Sequence, residues 1–305
     1  MGTDKRYLLP VSVHLRHYPS ERDNQTAVED ASFASPTVSA AWLAEHLESV
    51  VIADVRWSMA DGPKEADYRR GHIPGAVFVD LDHDLADPST PTGGRHPLPH
   101  PERFARRLGA LGIGDRTPVV AYDDACGSVA ARLWWLLHTL GAPVAVLDGG
   151  LQAWEGPLSQ AEPDIHPVTR TARPWPSTRF VDADGIASFV GGLLLDARSA
   201  TRYARGDPAI DPRPGHIPNA RNAPWTENLD GATGQFLPRV DLRRSFSNLG
   251  AEPTTRVIAY CGSGVTACHD LLALDLAGMH DTALFPGSWS AWGADPQRPA
   301  VSGSD

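Results

Sequence analysis

Only three cysteines occur in 305 residues, an odd number and too few for a disulfide framework. Free thiols and a reducing compartment, the cytoplasm, are expected. Positive charge is also short: 27 Lys and Arg stand against 37 Asp and Glu, for a net charge of −10. That balance argues against nucleic acid as a partner, because a phosphate backbone calls for a basic surface. A local cationic pocket for a small anion is still allowed. No apolar run reaches the length of a membrane span, so no membrane partner is expected. The stretch YLLPVSV near the start is too short, and broken by proline, to be a signal peptide. His14 and His17 sit near each other, but two histidines alone do not make a metal site.

The chain does hold 42% hydrophobic residues and enough length for two ordinary domains. Its most telling stretch is VIAYCGSGVTACHDLLAL, residues 257–274. Val257 to Tyr260 reads as a buried strand, and a helical pattern starts near Ala267. Between them lie Cys261, Gly262, Ser263, Gly264, Val265 and Thr266. A cysteine at a strand–loop–helix junction faces converging backbone N–H groups and the positive end of a helix dipole. Both favour an anion, and so the nucleophilic thiolate. The two glycines permit the backbone angles that a tight loop around sulfur needs.

The pattern of the chain repeats. Ala53-Asp54-Val55-Arg56 returns as Leu195-Asp196-Ala197-Arg198, and GHIPGA at 71–76 returns as GHIPNA at 215–220. VVAY at 119–122 returns as VIAY at 257–260, and Tyr122 stands as far before Trp154 as Tyr260 before Trp292. Landmarks recurring in one order indicate a duplicated domain. Strands alternate with helices in each copy, which predicts an α/β fold with a mostly parallel sheet flanked by helices. We expect a flexible N-terminal extension over 1–33 and a first domain over 34–156. A proline-rich linker over 157–176, a second domain over 177–295 and a tail over 296–305 follow.

Duplication also serves as an internal control. Asp123 stands in the first copy where Cys261 stands in the second, so only the second carries the nucleophile. Cys126 and Cys268 fall at packing positions. His72 and His216 occur in both copies, as do Asp54 and Asp196, and Arg56 and Arg198. Residues common to both copies are expected to serve the shared fold. Residues found in one copy are better site candidates, among them Arg202, Arg213 and Arg205.

The loop CGSGVTA, 261–267, resembles the active loop of the 3-mercaptopyruvate sulfurtransferases, close relatives of the thiosulfate sulfurtransferases (rhodaneses). The resemblance covers roughly residues 37–294 and implies a tandem rhodanese-like fold with no metal and no organic cofactor. It implies that Cys261 takes sulfur from a small anionic donor as a persulfide. A thiol, cyanide or a thioredoxin-like protein would accept it. The loop residues Gly262, Gly264, Val265 and Thr266 would surround the donor. Arg202 would bind its carboxylate, with Arg213, or in its place Arg205, as the second arginine. Asp82 and His96 match family positions that reach the active loop from the first domain, which with Ser263 would form a proton relay. Rhodaneses carry basic residues after the cysteine, where Gly262 and Ser263 stand here. Thiosulfate therefore remains the second choice of donor. A cysteine phosphatase needs Cys-x5-Arg, and Ala267 occupies that arginine's place. A sulfur-carrying module without turnover would not need the intact Cys261 loop.

Overall fold

The computed structural model describes residues 33–87, 89 and 93–303. Most of the expected N-terminal extension, with His14 and His17, lies outside the described residues. The strands of the first half are β1 (Thr37–Val38), β2 (Val51–Asp54), β3 (Trp57–Ser58), β4 (Gly62–Pro63), β5 (Val77–Phe78), β6 (Val119–Tyr122) and β7 (Val144–Leu147). Those of the second half are β8 (Leu193–Asp196), β9 (Ala220–Asn222), β10 (Val257–Tyr260) and β11 (Thr282–Leu284). The first sheet runs β1-β7-β6-β2-β5 and the second β11-β10-β8-β9. The two orders coincide once β1 is matched to a single parallel bridge between Phe180 and Leu284. All strand pairings in both sheets are parallel, and the small β3–β4 hairpin is antiparallel. The central strands β6 and β10 are buried along their length, as parallel strands covered on both faces must be.

The recurring sequence landmarks prove to be one packing unit built twice. Asp54 pairs in register with Tyr122, and Asp196 with Tyr260. Arg56 and Arg198 each fork onto the aspartate two residues earlier and onto a glycine carbonyl of the GHIP turn. His72 stacks on Tyr68 and His216 on Tyr203, each with Nδ1 on that tyrosine's carbonyl. These repeated histidines and ion pairs hold the turn to the sheet, and in the second half Arg198 also reaches toward Asp211, 3.7 Å away.

Two helices, Ala130–Thr139 and Ala267–Ala277, pack against each other across the halves. Each is apolar nearly all round because it faces its own sheet and the other helix. Leu133, Leu137, Leu271 and Leu274 all belong to one continuous core, and full burial contributes about 1.5–3 kcal/mol for each such side chain. No helix or strand forms in 157–176. That stretch lies strapped along the first half, with Val168 N–H on Gly109 O, Arg170 on Gly114 O, and Trp175 Nε1 on Pro99 O. Among the described residues, no helix is long and apolar enough to cross a membrane.

Candidate active site

Cys261 leaves β10 at the carboxyl edge of the second sheet, where ligands of open α/β sheets bind. Its sulfur accepts the Gly264 N–H at 3.1 Å. The loop backbone is gripped from behind by the short helix Ser288–Trp292. Trp289 N–H reaches Cys261 O, and Ser290 N–H reaches Gly262 O, both at 2.9 Å. Cys261 N–H donates to Ser288 Oγ at 3.1 Å, and that hydroxyl donates on to Phe285 O. Gly264 has φ +77, and a Cβ there would lie 2.6 Å from Pro286 O, so only glycine closes the turn. Val265 is buried in the core, and Thr266 leads into the helix, its side chain making no capping bond.

The first copy shows what this backbone turn does with a negative charge. Asp123 is wholly buried, and its carboxylate accepts four loop amides, those of Ala125, Gly127, Val129 and Ala130, at 2.7–2.8 Å. Burial pushes the Asp123 carboxyl above its ordinary value while the four amides pull it down, so the side chain fills its own cradle of donors. The second copy carries a sulfur at the same point of the turn.

Beside that sulfur runs a chain of polar groups from both halves. Ser263 Oγ is 2.9 Å from His96 Nδ1, and His96 Nε2 is 3.1 Å from Asp82 Oδ1. Asp82 also accepts Trp57 Nε1–H at 3.1 Å. Burial alone would raise the Asp82 carboxyl, but the hydrogen bonds from His96 and Trp57 outweigh it and hold it below its ordinary value. Burial pushes the His96 imidazole below its ordinary value, against the pull of Asp82. At neutral pH the pair is thus carboxylate and neutral imidazole. A carboxylate can only accept, so Nε2 carries the proton, and Nδ1 offers a lone pair to the Ser263 hydroxyl.

Arg132 ties these parts together, and nothing in the sequence reading singled it out. It is wholly buried and comes from the first-half helix 130–139. Its guanidinium donates to Gly264 O at 2.9 Å, His96 O at 3.1 Å and Leu85 O at 3.3 Å. The signal was a lone arginine within the apolar run AARLWWLL.

The arginines divide unequally. Arg202 lies above Gly262 but spends its Nε–Nη2 fork on Asp211, at 3.1 and 2.6 Å. Arg213 does not join it. Its Nη2 is held by Arg298 O at 2.6 Å and its guanidinium lies over the Trp289 ring, because the C-terminal segment folds back over this face. Arg205 is exposed at the end of its helix. The side chain found next to Arg202 is Arg95, from the first half: a Cβ on Gly262 would lie 2.8 Å from Nη2 of each. Its sequence signal was its place beside His96 in a segment with no counterpart in the second copy.

Cys268 is wholly buried with Sγ on Gly264 O, and burial pushes its thiol up to about 12. Burial also raises Cys126. Neither thiol is set up as a nucleophile.

The rhodanese-like domain matches residues 39–157 and again 182–295. "Probable 3-mercaptopyruvate sulfurtransferase" of Pseudomonas aeruginosa is 44% identical, covering 83% of this chain and 93% of its own. "Putative thiosulfate sulfurtransferase SseB" of Mycobacterium tuberculosis is 39% identical, over 88% and 97%. Among solved structures, the 3-mercaptopyruvate enzyme SseA of Escherichia coli superposes with a TM-score of 0.73 at 32% identity. The match covers 84% of this chain and all of that one.

Proposed function

This chain belongs to the rhodanese-like family of sulfurtransferases, with two copies of the domain, and on that premise we propose that its donor is 3-mercaptopyruvate. The single observation that carries this reading is the Ser263–His96–Asp82 chain beside Cys261. Mercaptopyruvate carries a thiol proton that must move for pyruvate to form. Thiosulfate splits to sulfite with no proton to move, and it would leave the chain without a task.

The proposed reaction uses this geometry. The donor's carboxylate lies at the Arg202 side of Gly262, and its sulfur meets Cys261. Ser263, with His96 Nδ1 behind it, takes the donor's thiol proton. The Cys261 thiolate attacks the donor sulfur, forming the S–S bond while the C–S bond breaks. The electron pair passes to the donor's methylene carbon as the enolate of pyruvate. The proton held by the Ser263–His96 pair returns to that carbon, releasing pyruvate and leaving a Cys261 persulfide anion. The Gly264 N–H, which the Cys261 sulfur accepts, stabilises the thiolate and then the persulfide anion at this position. A thiol, cyanide or a thioredoxin-like protein then attacks the outer sulfur and restores the thiolate, so the kinetics are ping-pong. Free thiols at all three cysteines suit a reducing compartment such as the cytoplasm.

The thiosulfate reading is kept alive by the name of the Mycobacterium tuberculosis relative. A donor comparison decides between them. With cyanide as acceptor, kcat/KM from mercaptopyruvate, followed as pyruvate and thiocyanate, is expected to exceed that from thiosulfate. A preference for thiosulfate would overturn the proposal.

A further inference from the structure

Arg202 and Arg95 meet above Gly262, but only one of them has its binding edge free. A guanidinium grips a carboxylate best through its Nε and one Nη, two parallel N–H groups. Arg202 already applies that edge to Asp211, whose Oδ2 also accepts the Asp207 N–H and lies 3.7 Å from Arg198 Nη1. Arg198 in turn is forked onto Asp196. Arg198 and Arg202 therefore take up both carboxylates, and Arg95 beside them has an ion pair with neither.

Arg95 is braced but not neutralised. Its backbone N–H donates to Ser290 Oγ at 3.0 Å, and its Nη1 donates to Ile210 O at 2.6 Å. Both contacts are with the second half, so the guanidinium is fixed relative to the Cys261 loop. Its Nε and Nη2 are buried and have no hydrogen-bond partner. Buried N–H groups without acceptors are costly. Arg132, Arg170, Arg198 and Arg213 each leave one such atom, but Arg95 leaves two, and together they form the edge that fits a carboxylate. Burial first, then the charges of Arg202 and Arg198, disfavour its cationic form, while Cys261 and Asp211 favour it, so the net balance lies below the ordinary value. An anion arriving beside Cys261 would relieve both costs at once.

We propose that Arg95, supplied by the first half, is the primary carboxylate-binding residue of the donor site, with Arg202 the weaker, Asp211-neutralised second. The proposal rests on the mercaptopyruvate reading for the identity of the donor but not for the existence of the anion site. It gives the cysteine-free half a direct part in substrate selection. It also explains how a loop without cations after Cys261 serves an anionic donor in a protein of net charge −10.

The test is steady-state and half-reaction kinetics on the full chain with Arg95→Ala, Arg95→Gln and Arg95→Lys. Loss of one charged two-point grip is expected to raise KM for mercaptopyruvate about 10–100-fold in Arg95→Ala, with kcat changed far less. Arg95→Lys should recover only part, since it offers a point charge in place of a fork. Discharge of a preformed Cys261 persulfide to dithiothreitol should proceed at the wild-type rate, because that step needs no carboxylate. Arg95→Gln retains most of the stem's packing and stands in if the alanine variant does not fold. Thiosulfate separates the two claims. If the wild type used thiosulfate and not mercaptopyruvate, the donor reading would fall. A raised KM for thiosulfate in the variants would then uphold the anion site. Unchanged KM for the working donor, or equal slowing of loading and discharge, would overturn the role of Arg95.

Discussion

Replacing Asp82 by asparagine perturbs the proton path by one atom and should reverse it. Asp82 accepts two N–H groups, from His96 Nε2 at 3.1 Å and Trp57 Nε1 at 3.1 Å. An amide has one accepting oxygen. If that oxygen stays on Trp57, the NH2 faces His96 Nε2, which can then only accept. The imidazole proton moves to Nδ1 and points at Ser263, so the lone pair that took the serine proton is gone. Positioned proton transfer contributes about 100- to 10,000-fold to rate, and a reversed tautomer forfeits most of it. Asp82 is partly exposed, so solvent repairs some of the damage, and we expect kcat for pyruvate release to fall about 100-fold. The pH profile carries the sign. In the proposed relay the working form is neutral His96, so activity should be lost as pH falls through its pKa, which burial holds below the ordinary value. Asp82 raises that pKa by its bond and its charge, so the variant's residual activity should lose its acid limb at a lower pH than the wild type's. Pyruvate release followed across pH 4–8 (about that span brackets an unperturbed histidine) measures both effects. An unchanged kcat, or activity that rises as pH falls, would refute the relay.

Two further outcomes follow from the same contacts. Arg132→Met removes the donor from His96 O and Leu85 O while relieving a buried charge, so urea unfolding should show a net loss of about 1–3 kcal/mol. kcat should fall with it, because Gly264 and His96 lose their common tie; a more stable variant with unchanged kcat would contradict this. Gly262→Ala places a Cβ 2.8 Å from Nη2 of both Arg95 and Arg202. Both are ends of flexible side chains, so the fold should hold while KM for mercaptopyruvate rises; an unchanged KM would place the carboxylate elsewhere.

The duplication was legible because its landmarks are covalently local. A strand, an aspartate two residues before an arginine, and a GHIP turn recur as text, and each proves to be one hydrogen-bonded unit. Asp123 in the place of Cys261 marked the asymmetry, and the structure adds the reason it fits, an amide cradle that suits any buried anion. Ser263, His96 and Asp82 were named from a family likeness, since no spacing along the chain predicts that groups 167 positions apart will meet. The arginines misled for the same reason. Arg213 was named from the family likeness as the second arginine of the donor site, but its Nη2 is held by Arg298 O. Arg95 comes from the other half, and the role proposed for it depends on its contacts with Ser290 and Ile210 across the two halves. Arg132 was hidden by its neighbours, because a helix buried on all sides reads as core.

The central claim is that a single sulfur, that of Cys261, carries the transferred atom. Intact-protein and peptide mass spectrometry after brief treatment with mercaptopyruvate, without acceptor, tests it most directly. One added sulfur (about 32 Da) on the peptide holding Cys261, matched by one pyruvate released, is the predicted result for an enzyme that turns over by a covalent intermediate. Cys126→Ser and Cys268→Ser should load as the wild type does, and Cys261→Ser should not load at all. The added mass on Cys126 or Cys268, or pyruvate released by Cys261→Ser, would contradict the account.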